Sequence, residues 1–198
     1  MRKLVVMTLL VLASVQLSAQ GWNEVLKGVA SDRASTDFFG YSVAISGNYA
    51  VVGAYLQDLD ETGSNSISGA GAAYVFEKSS GNWAFTQKVV ASDRALNDQF
   101  GYSVSISGDY LVVGARWEDH DASGSNNMFN AGSAYIFERD GGGNWNEVQK
   151  IVASDRNNSD EYGSAVAISG DYLIIGAERE DEDVAGMNNL SEAGSIYI

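Results

Sequence analysis

The chain contains no cysteine and no proline, a single histidine, and only 12 Lys plus Arg against 26 Asp plus Glu in 198 residues, for a formal charge of −14. Without cysteine there is no disulfide scaffold, no thiol nucleophile and no thiolate metal site within this sequence. The shortage of positive charge argues against nucleic acid or an anionic membrane surface as the main partner, because the net field repels both. His120 is a thin stock for acid–base chemistry. It stands between Asp119 and Asp121, where an unrepeated histidine reads as a solvated side chain. Long apolar runs are also scarce. The one present, Leu4 to Val15, is too short to span a bilayer and no second follows, so no membrane insertion is expected. What is abundant is glycine, at 22 residues, and apolar side chains, at 45% with 11% aromatic. That is too apolar for a disordered acidic tail, so the chain should fold.

The start of the sequence combines Met1-Arg2-Lys3, the apolar run and the small-residue site Leu17-Ser18-Ala19. Together they predict a cleaved signal peptide over 1–19 and export to the medium or the cell surface. Cleavage removes two positive charges and makes the mature charge −16. No cysteine follows the run, so a bacterial lipoprotein anchor is excluded.

The rest of the sequence repeats itself. Trp22, Trp83 and Trp145 are 61 and 62 residues apart, as are Arg33, Arg94 and Arg156. Between them FGYSVAISGNYAVVGA (39–54), FGYSVSISGDYLVVGA (100–115) and YGSAVAISGDYLIIGA (162–177) are nearly superimposable. In the second repeat four β-rich runs are predicted: Tyr102 to Ile106, Tyr110 to Gly114, Ser133 to Glu138 and Trp145 to Ala153. The period of two in Tyr102, Val104 and Ile106 marks a strand, and Ser107-Gly108-Asp109 marks a tight hairpin turn. No helical period competes. Four antiparallel strands recurring every sixty residues predict an all-β fold, a β-propeller of four-stranded antiparallel blades.

Phe100-Gly101 followed by Gly114-Ala115 resembles the FG-GAP repeat, the blade unit of the integrin α-subunit propeller and of many secreted bacterial proteins. The bacterial form is the more similar, in ASDRALNDQFGYSVSISGDYLVVGA (91–115) and GSAYIFE (132–138). The resemblance implies seven blades, of which residues 20–198 supply just under three. The expected organisation is therefore an outer strand at 22–30, blades at about 38–91, 99–153 and 161–198, and a longer chain that completes the ring. Assembly of copies into a ring is the alternative.

In such a blade the loop between strands two and three shares a face with the loop to the next blade. Seventeen of the 26 acids fall in these loops. The two-three loops share Asp-x-Asp-x-x-Gly-x-Asn, at Asp58/Asp60/Gly63/Asn65, Asp119/Asp121/Gly124/Asn126 and Asp181/Asp183/Gly186/Asn188. Alternating oxygen ligands around a glycine turn suit a hard cation such as calcium, so Asp58, Asp60, Asn65, Asp119, Asp121, Asn126, Asp181, Asp183 and Asn188 are the candidate metal ligands. The match to a true calcium loop is partial: Thr62, Ser123 and Ala185 stand at its fifth position, and a glutamate stands at the twelfth only as Glu192. The resemblance does not supply the ligands either, since integrin calcium loops lie in the one-two hairpin, which here is a short Ser-Gly-Asn or Ser-Gly-Asp. The repeated Ser-Asp-Arg reads as a blade-to-blade fastening, with Asp93 capping its turn and Arg94 pairing with a loop carboxylate. The tryptophans read as packing residues rather than sugar platforms.

Three functions fit. The first is a non-catalytic binding or adhesion module for an extracellular protein or glycan. The second is a purely structural array within a larger surface protein. The third, less favoured, is a carboxylate-based hydrolase, since no blade departs from the repeat to assemble a special acid pair.

Overall fold

A computed structural model describes residues 23–183, 186 and 190–198. The expected signal peptide, Trp22 and Asn188 lie outside them. The described chain forms eleven strands and no helix. The first sheet holds β1 (Val43–Ser46), β2 (Tyr49–Ala54), β3 (Ala72–Ser79) and β4 (Asn82–Val89) in sequence order, all antiparallel. The second repeats it as β5 (Phe100–Ser107), β6 (Tyr110–Ala115), β7 (Ser133–Arg139) and β8 (Trp145–Ile151). The third has β9 (Tyr162–Ser169), β10 (Tyr172–Ala177) and β11 (Ser195–Tyr197). Two of the sheets have the four antiparallel strands expected of a blade, and the third has three among the described residues.

One expected element differs. The run at 22–30 forms no strand over its described part, 23–30, and all but Ala30 of those residues are exposed. A fourth strand exists by pairing with a third, and among the described residues no strand is paired with this segment.

Adjacent blades stack face to face. Val104 and Ile106 of β5 are buried with Val51, Ala73 and Val75 of the first blade, and Val112 and Ala134 are buried with Tyr162 and Ile175 of the third. The alternation in the first strand explains this: large residues fill the gap, and the intervening serines bond across it. Ser42 Oγ donates to Gly101 O at 2.8 Å and Ser103 Oγ to Gly163 O at 2.7 Å. The FG and GA motifs are the two sides of one contact. A Cβ on Gly53 would lie 2.0 Å from Gly101 O, and one on Gly114 equally close to Gly163 O, so only glycine permits this blade spacing.

The two-three loops and the inter-blade loops do share a face. Asn97 N donates to Ser68 O and Gln99 N to Gly69 O, and Ser159 and Glu161 bond Phe129 and Asn130 in the same way. Arg94 crosses to the preceding blade's loop, with Nη2 donating to Asp58 O at 2.7 Å, and Arg156 does so to Asp119 O at 2.9 Å. The fastening therefore uses backbone carbonyls, where a loop carboxylate was expected. A guanidinium presents several donors in a plane and suits a loop whose carboxylates are already engaged.

Candidate functional site

The acids singled out by the repeat hold their own loops shut. Asp60 Oδ1 accepts from Thr62 N, Thr62 Oγ1 and Ser64 N, at 3.0, 2.8 and 3.0 Å, and Oδ2 accepts from Asn65 Nδ2. Asp121 is bound identically by Ser123 N, Ser123 Oγ, Ser125 N and Asn126 Nδ2. For Asp60, burial pushes the carboxyl up, but the donors from Thr62, Ser64 and Asn65 outweigh it and hold the group well below the usual range. For Asp121 the Ser123 hydroxyl leads the same downward shift. The other loop acids tie down the far end: Asp58 accepts from Gly69 N, Asp119 from Asn130 N and Asp181 from Glu192 N. The serine or threonine at position five, a departure from a calcium loop, is here the donor that closes the turn. Among the described residues no group of three or more Asp, Glu or His side chains is placed to share a metal ion.

Beneath each loop runs a buried polar network that repeats. In the first blade Lys88 Nζ reaches Asp32 at 2.7 Å and Leu59 O at 2.7 Å, Tyr74 donates to Asp32 at 2.8 Å, and Gln57 Nε2 donates to Asp37 and to the Tyr74 oxygen. In the second, Lys150 pairs with Asp93 at 2.7 Å and Glu118 at 2.8 Å, and Tyr135 donates to Asp93 at 2.7 Å. The Asp of Ser-Asp-Arg is thus the anchor for tyrosine and lysine, and the turn-capping role expected of it belongs to Asp98, which accepts from Ala95 N. Burial pushes Asp98 up to about 7, and Glu118 and Asp93 add repulsion. His120 serves this network: its backbone N and Nδ1 lie 2.8 and 3.1 Å from Glu118. Trp145 is a packing residue, 2% exposed and edge-on to Tyr49 of the preceding blade.

At one set of positions where the repeat fails, side chains converge. The residue before each Phe/Tyr-Gly is Phe38, Gln99 or Glu161; the residue after is Tyr41, Tyr102 or Ser164; and those following Gly-Ala are Tyr55-Leu56, Arg116-Trp117 and Glu178-Arg179. All sit where the first strand begins and the second ends, on the acidic-loop face. Phe38 stacks on Tyr55 at 5.3 Å, and Tyr41, Tyr55 and Tyr102 lie within 4.6 to 5.5 Å of one another, with a Tyr41–Tyr102 hydroxyl bond of 2.8 Å. The Arg116 guanidinium lies 3.8 Å over the Tyr102 ring and reaches Glu161 and Glu178 at 3.3 and 3.4 Å. Trp117 Nε1 also donates to Glu161. Burial and the bond with Tyr41 push the Tyr102 hydroxyl up to about 12, against the pull of Arg116. Phe38 and Tyr41 remain about half exposed. This aromatic and arginine surface was not singled out from the sequence; the signal for it was the set of positions at which three near-identical repeats disagree.

Antiparallel sheets of four, four and three strands, stacked through glycine contacts and built from one repeated unit, define an incomplete β-propeller of about three blades. The family model described as FG-GAP repeat matches residues 22–76, 83–137 and 145–198, and the chain belongs to that family. No curated protein matches the chain. FG-GAP repeats are integrin-like repeat modules with binding or structural roles. They are typically non-catalytic and typical of extracellular or surface proteins.

Proposed function

We propose that this chain is a non-catalytic binding module, exported through the leader at 1–19, that engages an extracellular protein through the surface formed by Phe38, Tyr41, Tyr55, Tyr102, Arg116 and Trp117. The observation that carries this reading is the convergence of repeat-breaking residues on one patch, in which Phe38 and Tyr41 are exposed and the other four are half-buried. Positions that hold the array together recur in every blade, whereas these differ in at least one blade and still meet. Tyrosine, tryptophan and arginine are the residues that most often carry interface energy, because a rigid ring buries much area at little entropic cost and keeps a polar handle. The surrounding acids would favour a partner with a basic rim, drawn in by the net field.

In this reading calcium is a weak and dispensable ligand of the two-three loops. To reach Asp60 or Asp121 it must displace four donors that already satisfy each carboxylate.

The test is capture from surface and extracellular protein fractions by chemical crosslinking, run with a glycan array in parallel, using the chain and its Phe38→Ala/Tyr41→Ala variant, which removes the two half-exposed rings and no buried ion pair. A protein partner that the variant loses, with the circular dichroism spectrum unchanged, supports the reading. Binding only to glycans would move the partner to that class. A variant indistinguishable from the parent in both formats would favour the second reading, a structural array, which the repeated buried network supports.

A further inference from the structure

We propose that Tyr41 and Tyr102 form an oxidative modification site, a pair that closes into a dityrosine bond and staples the first blade to the second. The chain has no cysteine, so no disulfide can join its blades. What joins these two is non-covalent: buried apolar side chains, the Ser42 bond to Gly101 and the close approach of Gly53 to the same carbonyl. Tyr41 and Tyr102 meet across that boundary from positions 61 residues apart, between two sheets that each have all four strands.

The contact is the one that a carbon–carbon bond between two phenols needs. Tyrosyl radicals couple through the ring carbons beside the hydroxyl, where much of the unpaired spin resides. The two rings are 4.9 Å apart at their centres and tilted by 42°, and their hydroxyl oxygens are 2.8 Å apart. They therefore converge toward their hydroxyl ends, and the ortho carbons lie in the converging half of each ring. Aromatic pairs generally sit about 4.5–7 Å apart, so this one is near the close limit. The other tyrosine pairs in contact among the described residues, Tyr41–Tyr55, Tyr55–Tyr102 and Tyr162–Tyr197, meet edge to face at 60°, 78° and 67°. An edge-to-face contact sets the rim of one ring against the middle of the other and keeps their ortho carbons apart.

Arg116 fixes one half of the pair. Its Nη1 donates to the Tyr102 oxygen at 2.9 Å and its guanidinium lies 3.8 Å over the Tyr102 ring, while Glu161 and Glu178 hold it at 3.3 and 3.4 Å. The Tyr102 oxygen thus accepts from both Tyr41 and Arg116, which orients the two phenols toward each other. Neither ring is fully buried, so a small oxidant reaches them.

The oxidant is hydrogen peroxide, used by a haem peroxidase. Each phenol gives up one electron and its hydroxyl proton, and the two radicals pair to form one bond between ortho carbons. Each of those carbons then releases its hydrogen as a proton while the oxygen on its ring takes one up, which restores both hydroxyls. The net loss is two electrons and two protons, and these reduce one peroxide to two waters. The product closes a loop of 61 residues and stabilises the fold as a disulfide of that span does, by constraining the unfolded chain.

The test is limited oxidation of the dilute purified chain with a haem peroxidase and one equivalent of hydrogen peroxide. The monomer fraction should gain dityrosine fluorescence and lose the mass of two hydrogens, and a digest should yield a linked peptide pair carrying Tyr41 and Tyr102. Tyr41→Phe and Tyr102→Phe should each reduce the dityrosine of the monomer at least tenfold, while Tyr55→Phe keeps it. The linked chain should melt on the order of 10 °C above the unlinked one. Absence of dityrosine from the monomer, dityrosine confined to linked dimers, or a linked pair other than Tyr41–Tyr102 overturns the site. An unchanged melting temperature in the linked chain overturns its role as a staple.

Discussion

Replacing Lys150 with methionine should cost far more than replacing Lys88, although the two occupy the same position in successive blades. Lys150 Nζ lies between Asp93 and Glu118, and the Glu118 side chain is fully buried. Its remaining donors are Ser133 Oγ and the backbone and ring of His120. Removing one partner of such a pair leaves an uncompensated buried charge, at a cost of about 3–5 kcal/mol. In the first blade neutral Gln57 stands where Glu118 does, and Lys88→Met strands only Asp32, whose side chain is a quarter exposed, and Leu59 O. Water can reach Asp32, so a cost of about 1–2 kcal/mol is expected there. The double variant Glu118→Gln/Lys150→Met turns the second blade into a copy of that situation and should recover about 2 kcal/mol relative to Lys150→Met alone. Urea unfolding at pH 7, followed by tryptophan fluorescence and by circular dichroism, measures all three. Equal losses for the two lysines within about 0.5 kcal/mol, or no recovery in the double variant, would refute the reasoning.

The other expectations are simpler. Asp98 is held near pH 7 by burial, so the folded state binds the extra proton between about pH 4 and 7 and stability falls as pH rises through that window; Asp98→Asn, whose carbonyl still accepts from Ala95 N, should flatten this slope and stabilise the protein at pH 8 by on the order of 2 kcal/mol in denaturant titrations. Gly53→Ala puts a methyl 2.0 Å from Gly101 O and should lower the melting temperature severely, by the equivalent of about 3 kcal/mol, whereas Gly81→Ala, at an open turn with positive φ, should cost about 1 kcal/mol from backbone strain alone. Asp60→Ala should lower the melting temperature by freeing the Thr62 and Ser64 donors, with the loss seen equally in calcium and in chelator. Millimolar calcium should move the melting temperature of the parent by less than about 2 °C, the limit for a ligand no tighter than its own concentration.

Most of the fold was legible because the repeat states each strand three times. The period of two in the first strand and the Ser-Gly-Asn or Ser-Gly-Asp turn placed β1 and β2 and their counterparts to within two residues. The outer strand at 22–30 was not legible as unpaired, because strand propensity is local while pairing depends on what stands alongside. The acids illustrate the opposite difficulty. Asp-x-Asp-x-x-Gly-x-Asn describes a turn whose carboxylate gathers donors, and a pattern of residue types does not distinguish donors from a metal ion. Thr62 and Ser123 at the fifth position donate back to Asp60 and Asp121, as a hydroxyl two residues beyond an aspartate does in closing an Asx turn. The Tyr41–Tyr102–Arg116 surface was not legible because a repeat pattern marks equivalent positions in successive blades and not which side chains meet across them. Only the three-dimensional stacking shows that Tyr55 of one blade and Tyr102 of the next are neighbours.

The central claim is that what recurs in every blade holds the array together and what breaks the repeat does the binding. The most direct measurement sets two variants side by side in the same partner-capture assay, Phe38→Ala/Tyr41→Ala at the repeat-breaking surface, where both side chains are about half exposed, and Asp60→Asn/Asp121→Asn in the repeated loops. The account expects the first to lose the partner with its melting temperature intact, and the second to keep the partner with its melting temperature lowered. The reverse result, capture lost only with the loop acids, would contradict it and make the acidic loops the binding site.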